Sequence, residues 1–204
     1  MARSGGRVQF LGRHLMVKGR FADLILDGRK TTTIRIGIVK PRYKEIIIHG
    51  HGRPLAKAEI VGIKVKKARE LTEEDAMRDG FRSPEELIKA LEELYSATIR
   101  PDTKLTIIEF RVKQRFDSLS AQDPYMGLEP ADIARLGLRY LKRELGEEEA
   151  KILEDLTRTN SIRSTAIRLY GSIEKRARVR KVLRWTLKEL LAKGLIKAVD
   201  RRGD

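Results

Sequence analysis

The chain has 204 residues, 41% of them hydrophobic and 36% charged, with a net charge of +15 and no cysteine. That length holds one large domain or two small ones, each able to bury a core. No apolar run approaches the roughly 18 residues that span a bilayer, the opening MARSGGRVQF lacks a signal peptide's apolar stretch, and the missing thiols exclude disulfides and thiolate zinc sites.

Along the first half, strand and helix signals alternate. Phe21, Leu24, Ile25 and Leu26 are spaced for a short helix that stops at Asp27-Gly28. The runs TTTIRIGIV and EIIIHG are rich in β-branched residues and read as strands, and LAKAEIVGIKVKK alternates as another. LTEEDAMRDG and SPEELIKALEELY read as helices; Ser83 as N-cap, Pro84 at the first helical position and Glu86 three residues after the cap form a capping box. KLTIIEFRVKQ closes a first domain, 1–115, as a long strand. Residues 116–130, rich in Ser, Asp, Pro and Gly, read as a linker. From 131 to 204 the pattern is mainly helical, ending in a short strand, LIKAV, with a polar tail. Three or four helices with a terminal strand fit a winged helix-turn-helix outline.

One short segment combines chemistry with spacing. LILDGRKTTTIR holds Gly28, Lys30, Thr33 and Arg35 as G-x-K-x-x-T-x-R. Gly28 lets the chain leave its helix, and two cations beside several hydroxyls suit a phosphate or a base edge. Together with TEEDAMRDGFRSPEELIKALEELY and the closing TIIEF strand, in that order, this segment resembles the ASCH family over roughly residues 14–113.

The resemblance implies a PUA-like β-barrel with flanking helices, hence an α+β protein whose first domain is an ASCH domain. The family pattern commonly has Glu where this chain has Thr33. The threonine form is similar to small bacterial ASCH amidohydrolases that deacetylate cytidine acetylated on its exocyclic amine, and that similarity implies catalytic roles for Lys30 and Thr33. Their glutamate falls on Asp79, one methylene shorter; Glu73 and Glu74 are other acids nearby. A lysine freed of its proton by burial would activate the threonine hydroxyl, and Arg35 would polarise the carbonyl.

Other chemistry is sparse. His14, His49 and His51 are the only histidines, and HGHG around the last two reads as a polar turn rather than a metal site. No metal and no cofactor are expected. Trp185 sits at helical spacing from core leucines and reads as core or interface.

The charge is concentrated near the end, where residues 158–202 carry a net +11. Within SIEKRARVRKVLRWTLKELLAKG, Val179, Val182, Leu183, Leu187, Leu190 and Leu191 define an apolar face. Arg176, Arg180, Arg184 and Lys188 recur every four residues as a positive stripe, and Arg201 and Arg202 follow on the terminal wing. Like charges so spaced repel in an isolated helix, and a polyanion lying against them relieves the repulsion. The sequence alone therefore puts a nucleic-acid-binding protein first. RNA is the expected partner rather than DNA, contacted through Lys30 and Arg35 on the barrel and through the basic helix. An amidohydrolase acting on acetylated cytidine with Lys30, Thr33 and Asp79 is the alternative. A cytoplasmic location is expected, and scarce Asn and Gln beside abundant Lys, Arg and Glu fit a thermophile.

Overall fold

The computed structural model describes residues 8–199, in two compact units that divide between Arg115 and Phe116. In the first unit β1 (Gln9–Leu11) and β2 (His14–Met16) lead into a 3-10 turn, Gly19–Phe21, and then α1 (Ala22–Leu26). Of the four apolar positions in the spacing, Phe21 and Ile25 are buried and Leu24 and Leu26 partly so; Ala22 is buried with them. The run TTTIRIGIV forms two strands rather than one, β3 (Thr32–Ile36) and β4 (Val39–Pro41). Gly37 separates them with φ of 84°, a left-handed conformation that ends the strand, and its carbonyl accepts a hydrogen bond from Thr106 Oγ1 at 2.6 Å.

β5 (Glu45–Gly50) and the long β6 (Arg53–Lys67) form a hairpin whose turn is His51-Gly52, with φ of 51° and 72°. HGHG thus spans the end of β5 and its turn: His49 is buried in the strand, its Nε2 hydrogen-bonded to His14 Nδ1 at 2.8 Å, while His51 lies in the turn itself. α2 (Glu73–Arg78), α3 (Pro84–Tyr95) and β7 (Lys104–Arg115) complete the unit. The capping box on α3 is half formed: Ser83 accepts from Glu86 N–H, but Glu86 reaches back to Arg82 N–H at 2.8 Å.

The main sheet runs β2-β5-β6-β7-β3, with β2 parallel to β5 and the remaining pairs antiparallel. It curls into a half-barrel flanked by helices, the ASCH or PUA-like arrangement, and β1 and β4 form a separate parallel pair. Register shifts in β6 between Lys57 and Ala58 and between Ile60 and Gly62 bend the strand. In the core of this unit Leu15, Ile25, Ile34, Ile46, Ile48, Leu87, Leu105 and Phe110 pack together.

The second unit begins at Phe116. The segment 116–130, expected as a linker, belongs to it: β8 (Leu119–Ser120) lies in this stretch, and Phe116, Leu119 and Leu128 are at most 4% exposed. Three buried apolar side chains outweigh a turn-rich composition. The helices α4 (Pro130–Tyr140), α5 (Glu147–Thr159), α6 (Ile162–Tyr170) and α7 (Arg176–Ala192) follow, and β9 (Ala198–Val199) pairs in parallel with β8. Ile133, Leu136, Leu153, Leu156, Val179, Leu183, Leu187 and Leu190 fill the core of this helical unit. Gly137 of α4 sits where a Cβ would lie 2.7 Å from Thr186 Cγ2 of α7 and 3.0 Å from Leu153 Cδ1 of α5, so a glycine there lets three helices meet closely. Among the described residues no helix is long and apolar enough to cross a membrane.

Candidate functional site

α1 ends because Gly28 adopts φ of 73°, and the following loop is stitched down at each step. Lys30 N–H donates to Leu24 O (2.8 Å), Thr31 N–H to Arg78 O (2.9 Å), and Phe110 N–H to Thr31 O (2.8 Å). These bonds fix Lys30 at the entrance to β3 and tie it to the end of α2. Asp79 is the C-cap of α2, and Gly80 follows with φ of 86°. A Cβ on Gly80 would lie 3.1 Å from the Phe21 ring, which explains a residue without one at that contact.

Lys30 and Asp79 meet directly. Lys30 Nζ donates to Asp79 Oδ1 at 2.7 Å and to the Asp79 carbonyl at 2.5 Å, with both side chains at most 6% exposed. The shorter carboxylate therefore reaches its lysine because the backbone of Asp79 is itself in contact. The amide of Ile34 also donates to the carboxylate. The Nζ lies 4.7 Å from the Phe21 ring centroid, and Phe21 meets Phe81 edge to face at 5.3 Å. Glu73 and Glu74 are exposed at the other end of α2, so Asp79 is the acid of this site.

Desolvation dominates the electrostatics of the pair. Burial holds the Lys30 ammonium below its usual range; Asp79 opposes this, and the like charges of Arg35 and Arg20 add to it. Burial likewise pushes the Asp79 carboxyl up to about 6, against the pull of Lys30, Arg35 and the Ile34 amide. Both shifts have one cause, the cost of holding charge out of water, and the lowered Lys30 ammonium gives up its proton more readily than a free lysine does.

Thr33 and Arg35, two residues apart on β3, line the same cavity as Lys30 and Asp79. It is a small cavity of about 70 Å³, open to solvent at its mouth. Thr33 is 5% exposed. The Arg35 Nε is enclosed and has no hydrogen-bond partner among the described residues. An orphaned buried guanidinium N–H is costly, and a ligand oxygen would relieve it. Arg20, Phe21 and Phe81 complete the walls, with the Arg20 guanidinium 4.8 Å and 5.4 Å from the two ring centroids. Sequence reading missed these three. They converge from separate segments, and only the Gly19-Arg20-Phe21 run just before the motif gave any local sign.

The basic stripe lies in the other unit. Arg180, Arg184 and Lys188 are exposed on α7 with no ion-pair partner among the described residues. Arg176 departs from the expected stripe: it is the first residue of α7, half-buried, and its Nε donates to Ile173 O at 3.0 Å, closing the turn before the helix. Arg178 pairs with Glu148 at 3.3 Å. Trp185 is half-buried and lines a groove with Glu144, Glu148, Arg178 and Lys181. Arg201 and Arg202 lie outside the described residues. No cluster of three or more acidic or histidine side chains able to hold a metal occurs among the described residues.

A curled mixed sheet with flanking helices, and a lysine motif at the mouth of its edge strand, define the first unit as a PUA-like domain. The chain belongs to the ASCH domain family, whose model matches residues 7–114, more than half of its length. Among solved structures the chain is similar to the ASCH domain from Lactobacillus crispatus JV V101, at 19% identity and a TM-score of 0.42, covering 51% of this chain and 79% of that one. It is also similar to the ASCH protein from Zymomonas mobilis, at 20% identity and a TM-score of 0.39, covering 52% and 71%. A protein from Enterococcus faecalis V583 gives 20% identity and a TM-score of 0.41, covering 48% and 69%. None of the curated proteins matches the chain.

Proposed function

We propose that the ASCH domain is an amidohydrolase that removes an acetyl group from the exocyclic amine of cytosine, with Lys30, Thr33 and Asp79 as its catalytic residues. The observation that carries this reading is the buried Lys30–Asp79 pair lining one cavity with Thr33 and Arg35. The neutral Lys30 amine takes the Thr33 Oγ proton as Oγ bonds to the acetyl carbon. Arg35 offers its unpartnered Nε–H to the oxyanion that forms. The carbon–nitrogen bond then breaks, and the exocyclic nitrogen leaves with the proton Lys30 holds. Water cleaves the resulting threonyl ester, returning Thr33 and releasing acetate. Asp79 orients Lys30 and balances its charge through the cycle.

The test is hydrolysis of acetylated cytidine in nucleoside, nucleotide and oligoribonucleotide form, followed by ultraviolet absorbance and acetate release. Thr33→Val keeps the shape and removes the hydroxyl; turnover should fall by a factor on the order of 100 or more. Wild-type protein that hydrolyses none of the three forms overturns the reading.

The helical unit supports a second function, binding of nucleic acid, RNA rather than DNA, by a winged-helix-like surface. What favours it is the exposure of Arg180, Arg184 and Lys188 along one face of α7 with no acidic partner among the described residues. Exposed, unpaired cations at this spacing suit successive phosphates, and the affinity they give falls steeply with salt.

A further inference from the structure

The charge on the cavity walls exceeds what the proposed reaction uses. Of the residues that line it, Lys18, Arg20, Lys30 and Arg35 are cationic, and Asp79 is the single acid. Lys30 consumes that acid, bonding both its carboxylate and its carbonyl. Lys18, Arg20 and Arg35 are left with no ion-pair partner among the described residues. An acetylated nucleoside is neutral, and its carbonyl oxygen needs one of these three, the deeply placed Arg35. Two cations remain at the mouth.

The backbone between them is closely packed. Lys18 and Arg20 flank Gly19, and the His51 ring packs so closely on Gly19 that a Cβ would collide with it. The Arg20 guanidinium lies over Phe21 and Phe81, the rings that wall the cavity, and makes no hydrogen bond to another described residue. Guanidinium stacked on aromatic rings keeps its N–H edges available for an anion. Arg20 is also near enough to Lys30 to weigh on its protonation, so its charge acts inside the site as well as outside. Apolar side chains line the same cavity, with Met16 50% and Leu94 53% exposed, a surface for the flat face of a sugar or base rather than for charge.

We infer that the substrate carries a phosphate next to the acylated base, and that Lys18 and Arg20 bind it. The inference rests on the amidohydrolase reading for the base and adds the phosphate. A free nucleotide and a nucleotide unit within RNA both present that chemistry.

The experiment compares kcat/KM for acetylcytidine, its 5′- and 3′-monophosphates, and a short single-stranded oligoribonucleotide with one internal acetylcytidine. Wild type is set against the double variant Lys18→Ala, Arg20→Ala. The phosphorylated forms should exceed the nucleoside by about tenfold or more at low salt, an advantage that shrinks as salt rises. The double variant should bring that ratio close to one. A preferred monophosphate identifies a free nucleotide as the source, and a preferred oligonucleotide identifies RNA. Equal rates on nucleoside and phosphorylated forms, or a double variant that keeps the wild-type ratio, overturns the inference. Equilibrium binding of CMP against cytidine gives an arm independent of catalysis. If nothing is hydrolysed but CMP binds more tightly than cytidine through Lys18 and Arg20, the amidohydrolase reading falls and the phosphate site stands; equal binding removes both.

Discussion

Replacing Lys30 with Met keeps most of the side chain's volume against Phe21 and removes the ammonium, leaving the Asp79 carboxyl buried with no cation bonded to it. Breaking a buried pair in this way costs about 3–5 kcal/mol when the remaining group stays charged. Asp79 can avoid much of that by holding a proton, since burial already pushes its carboxyl up to about 6 with Lys30 present. Loss of Lys30 raises it further. In the wild-type protein Asp79, at about 6, holds part of a proton at pH 6 and almost none at pH 8, so its own slope is confined to the lower end of that window. In Lys30→Met the folded chain holds one proton that the unfolded chain, with an aspartate near 3.8, has released. A carboxyl raised on folding gives stability that is present at low pH and lost as pH rises. The variant should thus lose up to about 1.4 kcal/mol per pH unit relative to wild type across that window. Denaturant unfolding followed by circular dichroism at pH 6, 7 and 8 reads the difference; Trp185 fluorescence does not, because the only tryptophan lies in the other unit. Adding Asp79→Asn should abolish the slope. A Lys30→Met variant within about 0.5 kcal/mol of wild type at all three pH values would refute the buried pair as the organising feature of the site.

Asp79→Glu pushes one more methylene into a site whose acid is 6% exposed; it should cost about 1–3 kcal/mol and at least tenfold in turnover of acetylcytidine, and unchanged kinetics would show that reach is not limiting. Arg180→Glu with Arg184→Glu should weaken binding of single-stranded RNA and lower the slope of log affinity against log salt by about 1.4; an unaltered slope in filter binding would remove these residues from the interface. Gly137→Ala gains about 1 kcal/mol in helix propensity but meets Thr186 at 2.7 Å. Overpacking should win by about 1–2 kcal/mol and lower the Trp185 unfolding midpoint, whereas a higher midpoint would mean that α7 moves aside at little cost.

The parts of the fold legible in the sequence are those that local chemistry decides. Gly28 stops α1 where its spacing said, Ser83 caps α3, and Lys30, Thr33 and Arg35 come to one cavity because they leave a helix and enter a single strand within six residues. What was not legible depended on partners far along the chain. Gly37 splits a β-branched run because Lys104 and Thr106 bind its backbone from β7. The segment 116–130 is part of the helical unit because Lys197 N–H donates to Phe116 O, Leu119 N–H donates to Lys197 O, and β8 pairs with β9, about 80 residues later. Arg176 fits the four-residue period yet starts its helix rather than decorating it. Periodicity assigns a face, and it cannot say where a helix begins.

The chain contains its own comparison between two uses of a cation. Arg180, Arg184 and Lys188 stand in solvent, where a phosphate reaches them at little desolvation cost. Lys30 is 3% exposed and bonded to an acid that burial pushes up to about 6. Taking an ammonium and a carboxylate out of water costs several kcal/mol for each, which a surface meant only to hold phosphate has no reason to spend. The same burial lowers the Lys30 ammonium, and a lysine that gives up its proton readily in the cavity Thr33 also lines suits moving a proton better than attracting an anion. Residues 78–80 reinforce the contrast by gripping the motif at two points, the Arg78 carbonyl on Thr31 and the Asp79 carboxylate on Lys30, while Gly80 leaves room for the Phe21 ring just before it. Rigid support of that kind serves a proton transfer, whose rate depends on placement to within about 1 Å, far more than it serves an electrostatic contact that decays slowly with distance.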